Sequence, residues 1–498
     1  MGLRLPIKKC LLNQACWCRS AIMKFISIRR TLESHPFEIG LMLINSVLLA
    51  IWAAKDTIAL RNIALVLGAI LSIIYITKNW QFSDLKKQLI SINALPFIFT
   101  GLFFVWVILH YCFFSEDSIS QLQELQSTWL RVFLSTTLAW GTGLMILRRP
   151  ILINYLWVGL LAGILMVYVQ YAPKALAGGK FFAPDYHGYL FEGKINGVLV
   201  GTLLIAGLTG TVIDCFRCRQ LNILKWELAL WIFGVLLTMY SYVFIYDTRN
   251  GLGLTAILFI GLIFSLSLWV GWQVIQQGAT RDLRLAALTT VILTIFAGIF
   301  TYQQLQHNQG WVTLIEDTKI AVQIDKYSEW QTSNSTGLYP KSESGRVVVG
   351  NNYERVAWAV VGLKLFQQNP LGVGVLYKPF NILLQKDFPG ATPAATHSGW
   401  IDLALSFGFP GLLLIWGIII SVFYLGICSD GPFKVTIPIM ASMIFLLYLV
   451  GELNGKHSIE ILFYWLAMLT ALQLPKDSNS SKMSMMKDGS SKNFNGVI

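Results

Sequence analysis

The chain has 498 residues, 55% of them hydrophobic and 13% charged, with a mean hydropathy of +0.59. A soluble domain carries about 25% charged residues, so a string of soluble domains is excluded. The net charge of +12 does not mark a nucleic-acid binder, because the Lys and Arg lie between apolar runs and at the two ends, as a membrane's positive-inside bias produces.

Residues 1–36 form a basic segment with Arg4, Lys8, Lys9, Arg19, Lys24, Arg29 and Arg30. It precedes the first apolar run, which therefore reads as a retained anchor and not a cleavable signal. Runs near the roughly 20 residues needed to cross a bilayer follow at 39–54, 58–77, 90–114, 128–147, 151–171, 195–213, 226–246, 251–275 and 284–301. Three more lie at 399–427, 433–450 and 458–474. The expected fold is an all-α polytopic membrane protein of about twelve transmembrane helices: nine within 37–301, three within 399–475, and one large outer loop, 302–398, between helices nine and ten.

Alternate links carry Lys78/Lys86/Lys87, Arg148/Arg149, Arg217/Arg219/Lys225, Arg281/Arg284 and Lys434, which places them and the basic N-terminus in the cytoplasm. The opposite link 113–127 has no Lys or Arg but carries Glu116, Asp117 and Glu124. An even helix number returns the Ser/Lys-rich tail, 476–498, to the cytoplasm, where its composition predicts disorder. Cys16-Trp-Cys18 and Cys215-Phe-Arg-Cys218 fall on that same side and read as reduced bystander thiols, since isolated pairs are weak zinc signals. Gly197, Gly201, Gly207 and Gly210 point to close helix packing rather than a lipid cavity.

Within 302–398, Glu354 to Gln368 places Val356, Val360, Leu363 and Leu365 or Phe366 at amphipathic spacing, and Asn369-Pro370 ends that helix. Asn369 to Gly374 makes a turn. Ser333 to Gly345, rich in Ser, Gly and Asn, reads as a mobile loop.

The outer face keeps Lys174, Lys180, Lys194, Arg249, Arg346 and Arg355 despite the bias against cations there, which points to a bound anion. Arg249 sits in Asp247-Thr248-Arg249-Asn250-Gly251 between two apolar helices, where guanidinium and helix N-terminal amides converge on phosphate-like oxygens; pairing with Asp247 or with lipid headgroups is the plainer role. His397 opens the tenth helix, and a helix N-terminus disfavours imidazolium, so a neutral ring able to accept a proton is expected; an interfacial or capping histidine is the plainer role. His187, in Pro184-Asp185-Tyr186-His187, is a competing outer histidine. Walker A, DxD and HExxH sequences are absent, which argues against ATP hydrolysis and a dedicated metal site.

Three of these elements together resemble the bacterial O-antigen ligases and the related O-antigen and exopolysaccharide polymerases. The matching residues are Thr248-Arg249-Asn250, then Arg355-Val356-Ala357-Trp358 running to Asn369-Pro370-Leu371-Gly372-Val373-Gly374, then Thr396-His397-Ser398-Gly399-Trp400-Ile401-Asp402. Ser398 stands where the family usually has Asn, and Ser406 near its usual acidic position.

The resemblance implies a GT-C-like inner-membrane glycosyltransferase of lipopolysaccharide biosynthesis, with its active site facing the periplasm. The implied donor is a glycan on undecaprenyl pyrophosphate and the acceptor a sugar hydroxyl of the lipid A core oligosaccharide, with no metal, cofactor or nucleic acid involved. It further implies that Arg249 and Arg355 hold the pyrophosphate, with Arg346 the alternative second arginine and Lys180, Lys194 and His187 further possible contacts. His397 is then the catalytic base of an inverting transfer. The single large outer loop favours a ligase over a polymerase. Paired intramembrane charges and broken helices, which would suggest a transporter or flippase, are not evident from sequence.

Overall fold

A computed structural model describes residues 36–79, 91–179, 191, 193–218, 221–278, 280–307, 309–332, 339–451 and 456–474. Lys180, His187, the basic N-terminal segment with Cys16 and Cys18, Lys86, Lys87, Arg219 and the tail lie outside the described residues.

The protein is an all-helical polytopic membrane protein. Its helices are α1 Pro36–Ile51, α2 Ile58–Asn79, α3 Leu95–Phe113, α4 Ser118–Arg148, α5 Asn154–Gly178, α6 Lys194–Arg217, α7 Leu221–Tyr240, α8 Arg249–Gln277 and α9 Arg281–His307. Next come α10 Leu314–Ala321, α11 Gly350–Gln368 and α12 Pro379–Asp387, then α13 Gly399–Cys428, α14 Thr436–Val450 and α15 Lys456–Leu472. Among the described residues, 9 helices are long and apolar enough to cross a membrane, and Phe37–Ile51, Thr436–Val450 and His457–Leu472 are shorter apolar helices. These occupy the twelve expected spans.

Helix α6 is buried along almost its whole length, and its glycines explain how. A Cβ on Gly197 would lie 2.6 Å from the Tyr246 ring, one on Gly201 2.5 Å from Tyr242 Oη, and one on Gly210 2.5 Å from Thr436 Cα. A Cβ on Gly207 would strike Trp157. The series therefore serves close approach, as expected, but to three different neighbours, the segment just after α7, α5 and α14, and not along one face.

Helix α4 begins ten residues before the expected span. Asp117 caps it by accepting from the Ser120 amide at 3.0 Å, a local bond that hydropathy cannot register. The acidic link 113–127 is thus mostly helix.

Paired charges do occur inside the bundle, contrary to the sequence reading. Glu460 on α15 is fully buried and accepts from Arg131 Nε at 2.6 Å and from Trp52 Nε1 at 3.0 Å. Arg61 donates to the Trp52 carbonyl at 2.8 Å. Arg131 and Trp52 lie hundreds of residues before Glu460 in sequence, so that pairing was invisible there. The Glu460 bonds tie α15 to α4 and to the link after α1.

A second hydrophobic core lies in and around residues 320–405, with Trp330, Tyr353, Ala357, Val361, Leu365, Phe380 and Leu384 at its centre. Its main helix, α11, starts four residues before Glu354 and ends at Gln368 as expected. The buried face differs, however. Tyr353, Ala357, Val361 and Leu365 point inward at i, i+4 spacing, while Leu363 is 49% exposed. Starting the helix at Glu354 left out Tyr353, and the chosen stripe passed over Ala357 and Val361. The described part of the expected mobile loop is also pinned: Lys341 and Val347 form an antiparallel bridge, and Tyr339 Oη donates to Glu354 Oε1 at 2.8 Å.

Candidate functional site

Helix α7 ends in a widened turn, Ser241–Ile245, after which Thr248 donates its amide to the Tyr242 carbonyl at 2.9 Å. Asp247 there adopts φ 45°, and the chain reverses into α8, whose first residue is Arg249. Arg249 is therefore helical, not in the turn, with the amides of the first turn of α8 beside it. Its Nη1 donates to Asn352 Oδ1 at 2.9 Å, so the expected plain pairing with Asp247 is not what holds it. Nearby, Asn250 Nδ2 donates to the Val450 carbonyl at 3.2 Å, tying this corner to the end of α14.

Asn352 lies in the first turn of α11 and is buried. Its Nδ2 donates to Asp317 Oδ2 at 2.9 Å and to the Gly310 carbonyl at 2.8 Å. Asp317, fully buried, also accepts from Thr313 Oγ1 at 2.9 Å and from Arg346 Nη2 at 2.6 Å. Arg346 reaches Glu316 as well, at 3.3 Å. Hydrogen bonds from Ser342 and Ser344, more than Arg346, pull the Glu316 carboxyl down to about 2. The charge of Arg346 is thus matched by two acids.

One turn along α11 stands Arg355, half-buried, and one further turn on stands Trp358. Trp358 Nε1 donates to the Trp330 carbonyl at 2.7 Å, and its ring stacks on His397 with centroids 5.1 Å apart and planes 21° from parallel. Residues 352, 355 and 358 are spaced by three, which puts them along one side of a helix.

His397 does not lie in the first turn of α13 but two residues before Gly399, the first helical residue. It takes the left-handed backbone conformation, φ 58°, uncommon for a residue other than Gly. The bonds around it hold that conformation. Asp402 Oδ1 accepts from the Thr396 amide at 3.0 Å and from Thr396 Oγ1 at 2.8 Å, closing a loop around the histidine. The Gly399 amide donates to the Gly451 carbonyl at 2.6 Å. Helix α11 comes so close that a Cβ on Gly362 would lie 2.7 Å from Thr396 Cγ2 and 2.8 Å from Ile401 Cγ2.

The glycine turn after α11 meets a break in α13. Gly408 adopts φ 66° and Pro410 lacks an amide hydrogen, so carbonyls before the break lose their helical donors. The turn replaces them: Val373 N donates to Leu405 O at 2.9 Å and Gly374 N to Ser406 O at 2.7 Å, while Phe409 N donates to Pro370 O at 2.8 Å. Side chains have no room here, since a Cβ on Gly372 would lie 2.5 Å from Ser406 O and one on Gly408 would strike Pro370 O. From the other side, His110 Nε2 lies 3.1 Å from Leu371 O, and Glu124 accepts from the amides of Leu376 and Tyr377 at 2.8 and 2.9 Å. Ser406, near the family's usual acidic position, bonds its own helix at Asp402 O and sits at this break.

Residues 234–416 match the family model described as O-antigen ligase. That stretch is similar to the O-antigen ligase domain. It contains all three elements of the resemblance, and the family is one of membrane enzymes that transfer glycans. No curated protein matches the chain. Within the matched stretch, Arg249, Arg355 and His397 are all linked to one helix, α11. Arg346 joins the arrangement only through Asp317, and Lys194, outside that stretch, is exposed at the start of α6. Asn352, Asp317 and Trp358, which contact the candidate residues directly or through one another, were not singled out from sequence. Only Trp358 left a sequence trace, three residues after Arg355.

Proposed function

We propose that this protein transfers a glycan from undecaprenyl pyrophosphate to a sugar hydroxyl of the lipid A core oligosaccharide, as an O-antigen ligase of lipopolysaccharide biosynthesis. One observation carries the reading: a single helix holds Arg249 through Asn352 and His397 through Trp358, with Arg355 between them. Cations that suit a diphosphate and an imidazole that suits a hydroxyl proton then belong to one site. In this reading Arg249 and Arg355 bind the pyrophosphate and stabilise charge as it leaves. His397 takes the acceptor proton while that oxygen attacks the anomeric carbon, a single displacement with inversion. Arg346 is the poorer second arginine, because Asp317 and Glu316 already match its charge. The acceptor assignment rests on the single large loop between the ninth and tenth spans. A strain lacking the protein should accumulate polymerised glycan on undecaprenyl pyrophosphate beside unmodified lipid A core. Single repeat units attached to the core would instead identify a polymerase.

The same reading puts the site in the periplasm, the protein in the inner membrane and both termini in the cytoplasm. Reporter fusions at Ser335 and Ser480 should accordingly report opposite sides of the membrane. The same side for both would separate the loop from its assigned compartment.

A further inference from the structure

Arg249 is held by a neutral group. Among the described residues it forms no ion pair, and its fixed partner is the Asn352 amide oxygen at 2.9 Å. A carboxylate stands directly behind that amide, since Asn352 Nδ2 lies 2.9 Å from Asp317 Oδ2. An amide with a carboxylate at one end and a guanidinium at the other can sit only one way round. Its orientation is fixed further by the Gly310 carbonyl, which accepts from Nδ2 at 2.8 Å. Meanwhile Asp317 is paired with Arg346 at 2.6 Å. Asp247, two residues before Arg249, is exposed and makes no direct bond to it, so it acts on the guanidinium only through space.

We propose that Asn352 is a positioning residue that aims Arg249 while keeping the charge of Asp317 one amide away from it. The guanidinium is thereby oriented without being neutralised and stays available to an anionic ligand. Resting on the function proposed above, that ligand is the diphosphate of the lipid-linked donor. An aspartate at 352 would hold Arg249 equally well but would supply its counter-charge from within the protein, in direct competition with phosphate oxygens. A mere packing link has no such preference for a neutral side chain.

The test uses the full-length protein in nanodiscs, with undecaprenyl pyrophosphate lacking its glycan as the probe, and measures its dissociation constant and the thermal unfolding midpoint. Asn352→Asp should weaken binding about tenfold or more. That variant also sets two carboxylates against each other and can lose stability, so the exchange Asn352→Asp with Asp317→Asn is measured beside it. The exchange keeps the total charge of the network and removes the repulsion. Its midpoint should return toward that of the wild type while its binding stays weak. Recovery of both would reduce Asn352 to a structural link and overturn the proposal, as would wild-type affinity in Asn352→Asp. Arg249→Lys is the control for the underlying reading: if it binds the lipid normally, the role of Arg249 fails first and the proposal falls with it. If it binds weakly while the exchange binds normally, the proposal alone fails.

Discussion

His397→Ala should lower glycan transfer by about 10²–10⁴-fold, the usual worth of general-base assistance, while leaving undecaprenyl pyrophosphate binding close to normal. The measurement separates a chemical role from a structural one. The Thr396–Asp402 bonds and the Gly399–Gly451 bond are backbone or neighbouring side-chain contacts, so they survive loss of the imidazole. What the substitution removes is the ring stacked on Trp358. Because φ at 397 is positive, Ala adds some local strain, and His397→Asn is the better-matched second variant, since Asn tolerates that conformation and has no basic nitrogen. Both should be inactive to a similar degree in a purified transfer assay. His187→Ala, made in parallel, should retain activity. Retained transfer in both 397 variants together with loss in His187→Ala would move the base to the other histidine.

Arg249→Lys and Arg355→Lys should each lose transfer by about 10²-fold while expressing and inserting normally. Lysine keeps the charge but cannot reproduce the paired donors of a guanidinium, so a role in gripping two phosphate oxygens is lost where a simple surface charge would be preserved. Arg249→Lys also gives up a donor already committed to Asn352, at 2.9 Å. For that variant the loss should be seen in donor affinity as well as in turnover. Arg346→Lys should behave differently. An ammonium at that place can still serve Asp317 and Glu316, so activity should stay within a few-fold of the wild type, an expectation drawn from the modest worth of part-exposed ion pairs. Near-normal transfer by both Arg249→Lys and Arg355→Lys would remove the arginines from the mechanism, and a loss confined to Arg346→Lys would exchange its place with Arg355.

The membrane architecture was legible in the chain itself. Among the described residues each of the twelve apolar runs is helical and nine are long enough to cross a membrane, because crossing a bilayer imposes a length and a composition that no partner elsewhere in the sequence can alter. Helix α11 ended where Asn369-Pro370 said it would, and the glycines of α6 announced close packing, because backbone and steric limits of this kind are local. His397, Arg249 and Arg355 stood out as candidates because residues 248–411 carry their motifs in linear order. What required the tertiary structure was how those residues are held. Asn352 acquires its meaning only between Arg249 and Asp317, 103 and 35 residues away, and an asparagine looks the same in sequence whether or not it separates two charges. The break in α13 at Gly408 and Pro410 reads as a defect until the glycine turn at 372–374 arrives to satisfy the carbonyls it exposes. The Arg131–Glu460 pair was hidden for the same reason. Hydropathy and propensity are sums over neighbours along the chain, whereas charge pairing and backbone satisfaction depend on distances in space, which only the folded bundle sets.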